Sequence, residues 1–455
     1  MTRVLATRIV STSPQRPDDL LLDVPATDPA TVSSTVDKAR TAQRDWAAAP
    51  APQRAAALGA LADTIAAHAD ELTALVVREV GKPAAEAAGE LARAAAIVRY
   101  FAQQALDPIG ETYPAGVTGG LAFTVRRPRG VAGLVTPWNF PVAIPLWKAA
   151  PALAYGNAVV VKPAPDATAC ALRLAELAGT VLPDGLFTVL PGAAETGSAL
   201  VGAADAVSFT GSVAVGRQVA AAAVARGVAV QCEMGGLSAS VVLPDADVAV
   251  AARQIAAAAM GFAGQKCTAT KRIVVVGDAT VFTDALAAEL AALRCGDPAE
   301  ADTVVGPVIS AAARDRVRDA VAAAGGTELI ASLSGPGHFA VPTVVAGLAP
   351  DAPLNTAEVF GPVCTLTEVA DERTAFAFAD SSAYGLVTSV YTGRLDAALT
   401  FVDSSRSGMV RVNAPTSGVD LYLPFGGEKD SGYGGREQGK AARDFYTSLR
   451  TVQLC

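Results

Sequence analysis

Cys267, at the centre of FAGQKCTATKR, is flanked by Gly264, Lys266, Lys271 and Arg272. Positive charge and backbone N–H groups favour the reactive thiolate form of sulfur. Some 34 residues upstream, CEMGG places Glu233 in apolar, Gly-rich surroundings where a carboxylate could serve as a base. A nucleophile and a base together suggest covalent catalysis followed by assisted release. The chain has two histidines, His68 and His338, and neither sits in a motif with cysteine, carboxylate or a second histidine. A His-dependent triad and a His-rich metal site are therefore disfavoured, and no metal is expected.

Two kinds of pattern must position these residues. Residues 36–106 read as helices: Leu58, Leu61, Ile65, Leu72 and Leu75 recur at helical spacing as core positions, and Gly81 and Pro83 act as stop signals. From about residue 130, short apolar runs (GVAGLV, AVVVK, LFTVL, AVSF, VAVQ) alternate with helical stretches. Such alternation implies a doubly wound parallel sheet in an α/β protein. A second alternating block runs from Ser238 to about residue 410 and carries Cys267 early in it. Between the helices and the first block, PIGETYPAGVTGGLAFTVRRPRG reads as a protruding hairpin, and the Gly-rich FGGEKDSGYGG reads as a loop.

At 455 residues the chain is too long for one core, so two or three lobes are expected with the active site between them. Its 51% hydrophobic and 18% charged residues mark a folded chain, and a net charge of −8 without a basic stripe argues against nucleic acid. The N-terminus lacks the order of a signal peptide and no apolar run reaches membrane-spanning length. Six scattered cysteines without a CxxC pair read as reduced thiols. A soluble, cytoplasmic protein is expected.

The motifs TPWNFP, VVVKPA, FTGS, EMGG, GQKCT, EVFGP and PFGGEKDSG occur in the order and spacing of the aldehyde dehydrogenase superfamily. The chain resembles that family over nearly its whole length. The resemblance implies two doubly wound parallel-sheet lobes and a small β oligomerisation element. On this sequence the cofactor-binding domain would be 1–108 and 129–232, the oligomerisation element 109–128 and 443–455, and the catalytic domain 233–442. It also implies a homodimer or homotetramer in which the hairpin and C-terminal strand pair with a neighbouring subunit.

The activity implied is oxidation of a small-molecule aldehyde to an acid with NADP or NAD. Cys267 would attack the aldehyde to form a thiohemiacetal, and Glu233 would activate the water that hydrolyses the resulting thioester. Asn139, in TPWNFP, would donate its amide to the oxyanion together with the Cys267 backbone N–H. Cys232 adjoins Glu233 but reads as packing, and Leu237 stands where family members commonly have lysine.

For the cofactor, GxGxxG is absent. The run AVSFTGSVAVG instead reads as strand, turn and helix start, with Thr210, Gly211, an N-capping Ser212 and Gly216 about a pyrophosphate. Lys162, at a strand end, would bond the adenosine ribose, and Trp138, Glu358 and Phe360 would complete the nicotinamide end. Pro165 stands where many NAD-preferring members have a glutamate that repels a 2′-phosphate, so NADP is admissible.

The substrate is less legible. Trp147 is either an apolar wall of the aldehyde tunnel or core, and Gln265, Ser417 and Gln103 are either polar donors or structural. The PT-GVD run, GQKCTAT and the REQG ending resemble α-ketoglutarate semialdehyde (2,5-dioxopentanoate) dehydrogenases. A semialdehyde acid, either 2,5-dioxopentanoate or succinate semialdehyde, is therefore expected. The alternatives are a broad-range or apolar aldehyde dehydrogenase and a non-catalytic family member, although the latter would be expected to have lost Cys267, Glu233 or Asn139. Lys266, Lys271 and Arg272 read as solvated.

Overall fold

A computed structural model describes residues 7–330 and 337–455; residues 1–6, on which the reading of the N-terminus partly rests, lie outside them. Helices Pro29–Ala48, Ala51–Ala67, Ala69–Val80 and Ala84–Gln104 form the expected helical region. The first begins where Asp28 accepts N–H bonds from Ala30 and Thr31 with Pro29 following. The third ends at Gly81, whose φ of 67° makes the left-handed turn that a side chain would disfavour. Leu58, Leu61, Ile65 and Leu72 are fully buried, while Leu75 is only half-buried. An antiparallel pair ahead of them, Arg8–Ser13 with Arg16–Pro25, turns at Pro14–Gln15, where Ser13-Pro14 is a turn signal that the sequence reading left unused.

Two sheets carry the two alternating blocks. The first has the order Gly432–Tyr433, Ala229–Glu233, Ala206–Thr210, Val131–Val135, Ala158–Lys162 and Phe187–Val189, parallel except at its Gly432–Tyr433 edge. The second has the order Thr327–Ile330, Thr343–Ala346, Val363–Val369, Thr270–Val276, Ser238–Val242, Val387–Tyr391 and Met409–Val412, antiparallel only at Thr327–Ile330. Both are buried in their central strands, as sheets covered by helices on both faces must be. Val159, Val160 and Val161 have no exposed surface.

The FGGEKDSGYGG stretch is not simply a loop. Glu428–Lys429 pairs with Tyr384–Gly385, and Gly432 and Tyr433 pair with Glu233 and Cys232. The glycines allow this stitch: a Cβ on Gly434 would collide with the Val230 carbonyl and one on Gly427 with Ser431. A third sheet joins Thr112–Tyr113, Leu121–Pro128 and Thr447–Leu454. Thus the C-terminal strand pairs along its length with the hairpin of its own chain, and its other edge is open. Among the described residues no helix is long and apolar enough to cross a membrane.

Candidate active site

Cys267 is delivered by an unusual piece of backbone. The helix Val248–Met260 ends at Gly261, and Phe262, Ala263 and Gly264 follow with φ values of 52°, 52° and 61°. Left-handed conformation costs a non-glycine residue roughly 1–2 kcal/mol. Complete burial of Phe262 and Ala263 and a close carbonyl contact at Gly264 hold the turn in place; a Cβ on Gly264 would lie 2.8 Å from the Ala259 oxygen and strike that of Gly361.

Lys271 closes the same turn by donating to the carbonyls of Gly264 at 2.9 Å and Gly361 at 2.6 Å. It is buried and its pKa is pushed down to about 8 by desolvation. Arg272, also buried, donates to the carbonyls of Leu237, Phe378 and Ala379 at 3.1, 2.9 and 2.7 Å. Neither is solvated, because Thr270–Val276 is a central strand covered on both faces and successive side chains must enter one layer or the other. Lys266 is half-buried and ion-paired with Glu86 at 2.8 Å. The basic neighbours are committed to structure rather than to the thiol.

Cys267 is half-buried and packs beside Leu386, Val387, Val419 and Phe425. Burial, followed by the nearby Glu358 and Glu233 carboxyls, pushes its thiol up to about 12. The thiolate expected from the basic flank is thus unfavourable in this form. Cys267 opens onto a cavity of about 230 Å³ that also receives Trp138, Asn139, Thr210, Gly211, Ser212, Glu358 and Phe360. Ile144 and Met234 add apolar wall.

Asn139 is buried, and its Nδ2 donates to the Gln265 carbonyl at 2.9 Å. An amide carries two N–H donors, so this bond orients the side chain and leaves one hydrogen for a ligand. Phe360 meets Trp138 edge to face with ring centres 5.7 Å apart. Glu358 accepts the Gly236 N–H at 3.2 Å, and burial raises its pKa.

The strand-turn-helix unit suits a phosphate-bearing cofactor. Ser212 occupies the N-cap of helix Val213–Ala225 without a capping side-chain bond, and Thr210 has a buried Oγ1 with no partner. Donors left open at a helix start favour an anion. Gly216 serves a different purpose from the one expected, since a Cβ there would lie 2.5 Å from Met234 Sδ. Its smallness admits a neighbouring side chain rather than a ligand. Lys162 ends its strand apart from the cavity, donating to the carbonyls of Pro163 at 2.6 Å and Gly192 at 3.1 Å, with its pKa lowered to about 8 by burial.

Glu233 does not line the cavity. It is buried at the end of its strand with Oε2 unpartnered, and Oε1 would stand 2.5 Å from a Cβ on Gly426. Desolvation and the adjacent Glu437 raise its pKa well above the ordinary carboxyl value. The charges of Lys148 and Arg436, and then the Gly427 backbone N–H, oppose that shift only in part.

Glu437, quoted above only within REQG, was missed as a site residue. It ion-pairs with buried Lys148 and accepts Trp147 Nε1 at 2.6 Å and Ser208 Oγ at 3.1 Å. Of the open assignments, Trp147 therefore belongs to the core: its nitrogen is spent on Glu437, and its ring is tilted against Phe425 at 5.5 Å. Gln265 is likewise no substrate donor, since it is fully buried and its amide bonds Phe262 O, Pro307 O and Ile309 N. Gln103 is exposed on its helix, and Ser417 is half-buried outside the cavity lining.

Fold and site together define an α/β oxidoreductase with a cysteine at a cofactor cleft. The aldehyde dehydrogenase family model matches residues 4–452, and the chain belongs to that family. It is an NAD(P)-dependent aldehyde dehydrogenase. The alpha-ketoglutaric semialdehyde dehydrogenase of Bacillus subtilis is 37% identical over 435 residues, 92% of this chain and 89% of that protein. An NAD-dependent aldehyde dehydrogenase from Sinorhizobium meliloti superposes with a TM-score of 0.95 at 32% identity, over 98% of this chain and 91% of that one. An NADP-dependent enzyme of E. coli has a TM-score of 0.95 at 31% identity, over 98% and 95% of the two chains.

Proposed function

We propose that the chain oxidises a semialdehyde acid, 2,5-dioxopentanoate before succinate semialdehyde, with Cys267 as nucleophile. The observation that supports the chemistry best is the meeting of Cys267 and the oriented amide of Asn139 at one cavity. The similarity to a semialdehyde dehydrogenase supports the substrate class.

Cys267 gives its proton to solvent water as its sulfur bonds the aldehyde carbon, moving a carbonyl electron pair onto oxygen. The free N–H of Asn139 and the Cys267 backbone N–H receive that oxyanion. A nicotinamide cofactor held against Trp138, Glu358 and Phe360 would supply the acceptor for the hydride on that carbon. A thioester then remains on Cys267. Glu233, once ionised and turned from Gly426 and Gly427 toward the thioester, takes a proton from water as the hydroxide adds to carbon. The C–S bond breaks and the acid leaves.

In this reading Trp138, Glu358 and Phe360 hold the nicotinamide end of the cofactor. Thr210, Gly211 and Ser212 hold its phosphates, with Gly216 supporting the turn, and Lys162 holds its adenosine ribose. The cofactor-binding part spans 1–108 and 129–232, and the catalytic part 233–442 lends Gly432–Tyr433 back to the first sheet. Pro165 in place of a glutamate supports use of NADP as well as NAD; kcat/KM tenfold or more higher with NAD would defeat that.

The element 109–128 with 443–455 supports a homodimer or homotetramer. Its open edge strand and the exposed Leu121, Leu449 and Leu454 favour a second copy. Elution at the mass of one subunit would refute it. Six unpaired cysteines support a reducing, cytoplasmic setting.

An apolar or broad-range aldehyde is the second reading, favoured by the Ile144, Met234 and Phe360 walls. Turnover of 2,5-dioxopentanoate, succinate semialdehyde, glycolaldehyde and hexanal, each with NAD and NADP, separates the two. The acids should have the highest kcat/KM. A flat profile would remove the semialdehyde-acid reading.

A further inference from the structure

On the helix Ala84–Gln104, Glu86, Glu90 and Arg93 follow one another at i, i+4 and i+7, so they share a face. Two of them are committed to the active-site loops. Glu86 pairs with Lys266, the neighbour of Cys267, and Glu90 accepts the N–H groups of Val142 and Ala143, both at 2.9 Å, just beyond Asn139. At 1.5 Å per residue, Arg93 lies about 10 Å along the helix from Glu86. It is the charged residue of this face without a charged partner.

Arg93 is half-buried, and Nη2 donates to Gln438 Oε1 at 3.1 Å. Among the described residues it forms no ion pair; Asp420 is close enough to act on it electrostatically but not to bond it. By contrast, Lys82, Lys266 and Lys148 each have a glutamate: Glu90, Glu86 and Glu437. Gln438 is wholly buried at a φ of 58°, and its Nε2 has no partner. A guanidinium with spare N–H groups thus stands beside an amide donor that lacks an acceptor.

A second route ties this pair to the nucleophile. Gln438 follows Glu437, which holds Trp147, and Trp147 packs on Phe425 in the cluster that includes Cys267. A carboxylate is the acceptor that such a donor set lacks, since guanidinium and amide match its two oxygens.

We propose that Arg93, assisted by the Gln438 amide, receives the carboxylate of a semialdehyde acid whose aldehyde carbon sits at Cys267. This rests on the semialdehyde-acid reading and supplies the cation that the sequence did not identify. Arg93 is then a specificity residue, one that raises acid substrates above neutral ones without entering bond making.

The test is kcat and KM for 2,5-dioxopentanoate, succinate semialdehyde and hexanal in the wild type, Arg93→Met and Arg93→Lys. Arg93→Met should lower kcat/KM for both acids about 10- to 100-fold, mainly through KM, as loss of a charge-assisted bond does. Hexanal should change less than about threefold, and Arg93→Lys should recover part of the loss because it keeps the charge but not the planar fork. Equal losses for hexanal and the acids, or an unchanged acid-to-hexanal ratio, would overturn the assignment. A wild type that prefers hexanal would instead refute the substrate reading, and this inference with it.

Discussion

The proposed nucleophile and the proposed base are held in opposite ways. Cys267 ends a turn fixed by three left-handed residues, two carbonyl bonds from Lys271 and close packing at Gly264. Glu233 ends a strand beside Gly426 and Gly427, with a carboxyl oxygen that no group satisfies and a raised pKa. A buried polar atom without a partner is costly, and only the missing Cβ at Gly426 makes space for the carboxyl where it rests. The difference teaches that the backbone carrying the proposed nucleophile is pinned on several sides, whereas the proposed base rests with one oxygen unsatisfied and outside the cavity lining.

The largest test of the rigid side is Cys267→Ala, which should lower turnover of every aldehyde by roughly 10³-fold or more. Near-normal turnover would end the mechanism. On the carboxylate side, Glu233→Gln should leave the first turnover intact and slow hydrolysis on the order of 10²- to 10⁴-fold. Stopped flow would then show one equivalent of reduced nicotinamide followed by a slow phase; loss of that burst would place Glu233 in the attack step instead. The wild-type hydrolysis rate should also climb with pH. A carboxyl with a raised pKa is protonated below that pKa, and its base form accumulates only as pH passes through it.

Asn139→Ala should cost about 10²- to 10³-fold in kcat, the usual loss for one oxyanion donor. An unchanged kcat would leave the backbone N–H as the sole donor. Lys271→Met tests the clamp and has the smallest expected effect on chemistry. It leaves the buried Gly264 carbonyl without a donor, at about 1–3 kcal/mol, while Gly361 keeps the Val363 N–H at 2.8 Å, so the melting temperature should fall by a few degrees. An unaltered melting curve would show that packing alone holds the turn.

Much of this site was legible because its signals are local. Gly81 and Pro83 marked a helix end, alternating apolar runs marked the parallel sheets, and FTGS marked a strand, turn and helix. Lys271 and Arg272 were misread because charge suggests solvent, whereas a strand buried on both faces hides every side chain that its backbone carries. Trp147 and Gln265 could be placed only once Glu437 and the 307–309 segment lay against them.

The sequence by itself determined the family, the alternation of strand and helix and the residue types available for thiol chemistry, because these depend on order and near-neighbour spacing. Tertiary structure alone decided which of those residues share a cavity, which cations are already paired and where Glu233 rests. Its closing stretch shows why. Gly432 and Tyr433 lie 199 and 201 residues from their respective pairing partners Glu233 and Cys232, and a hydrogen bond, an ion pair or a desolvated charge depends on distance in space rather than on distance along the chain.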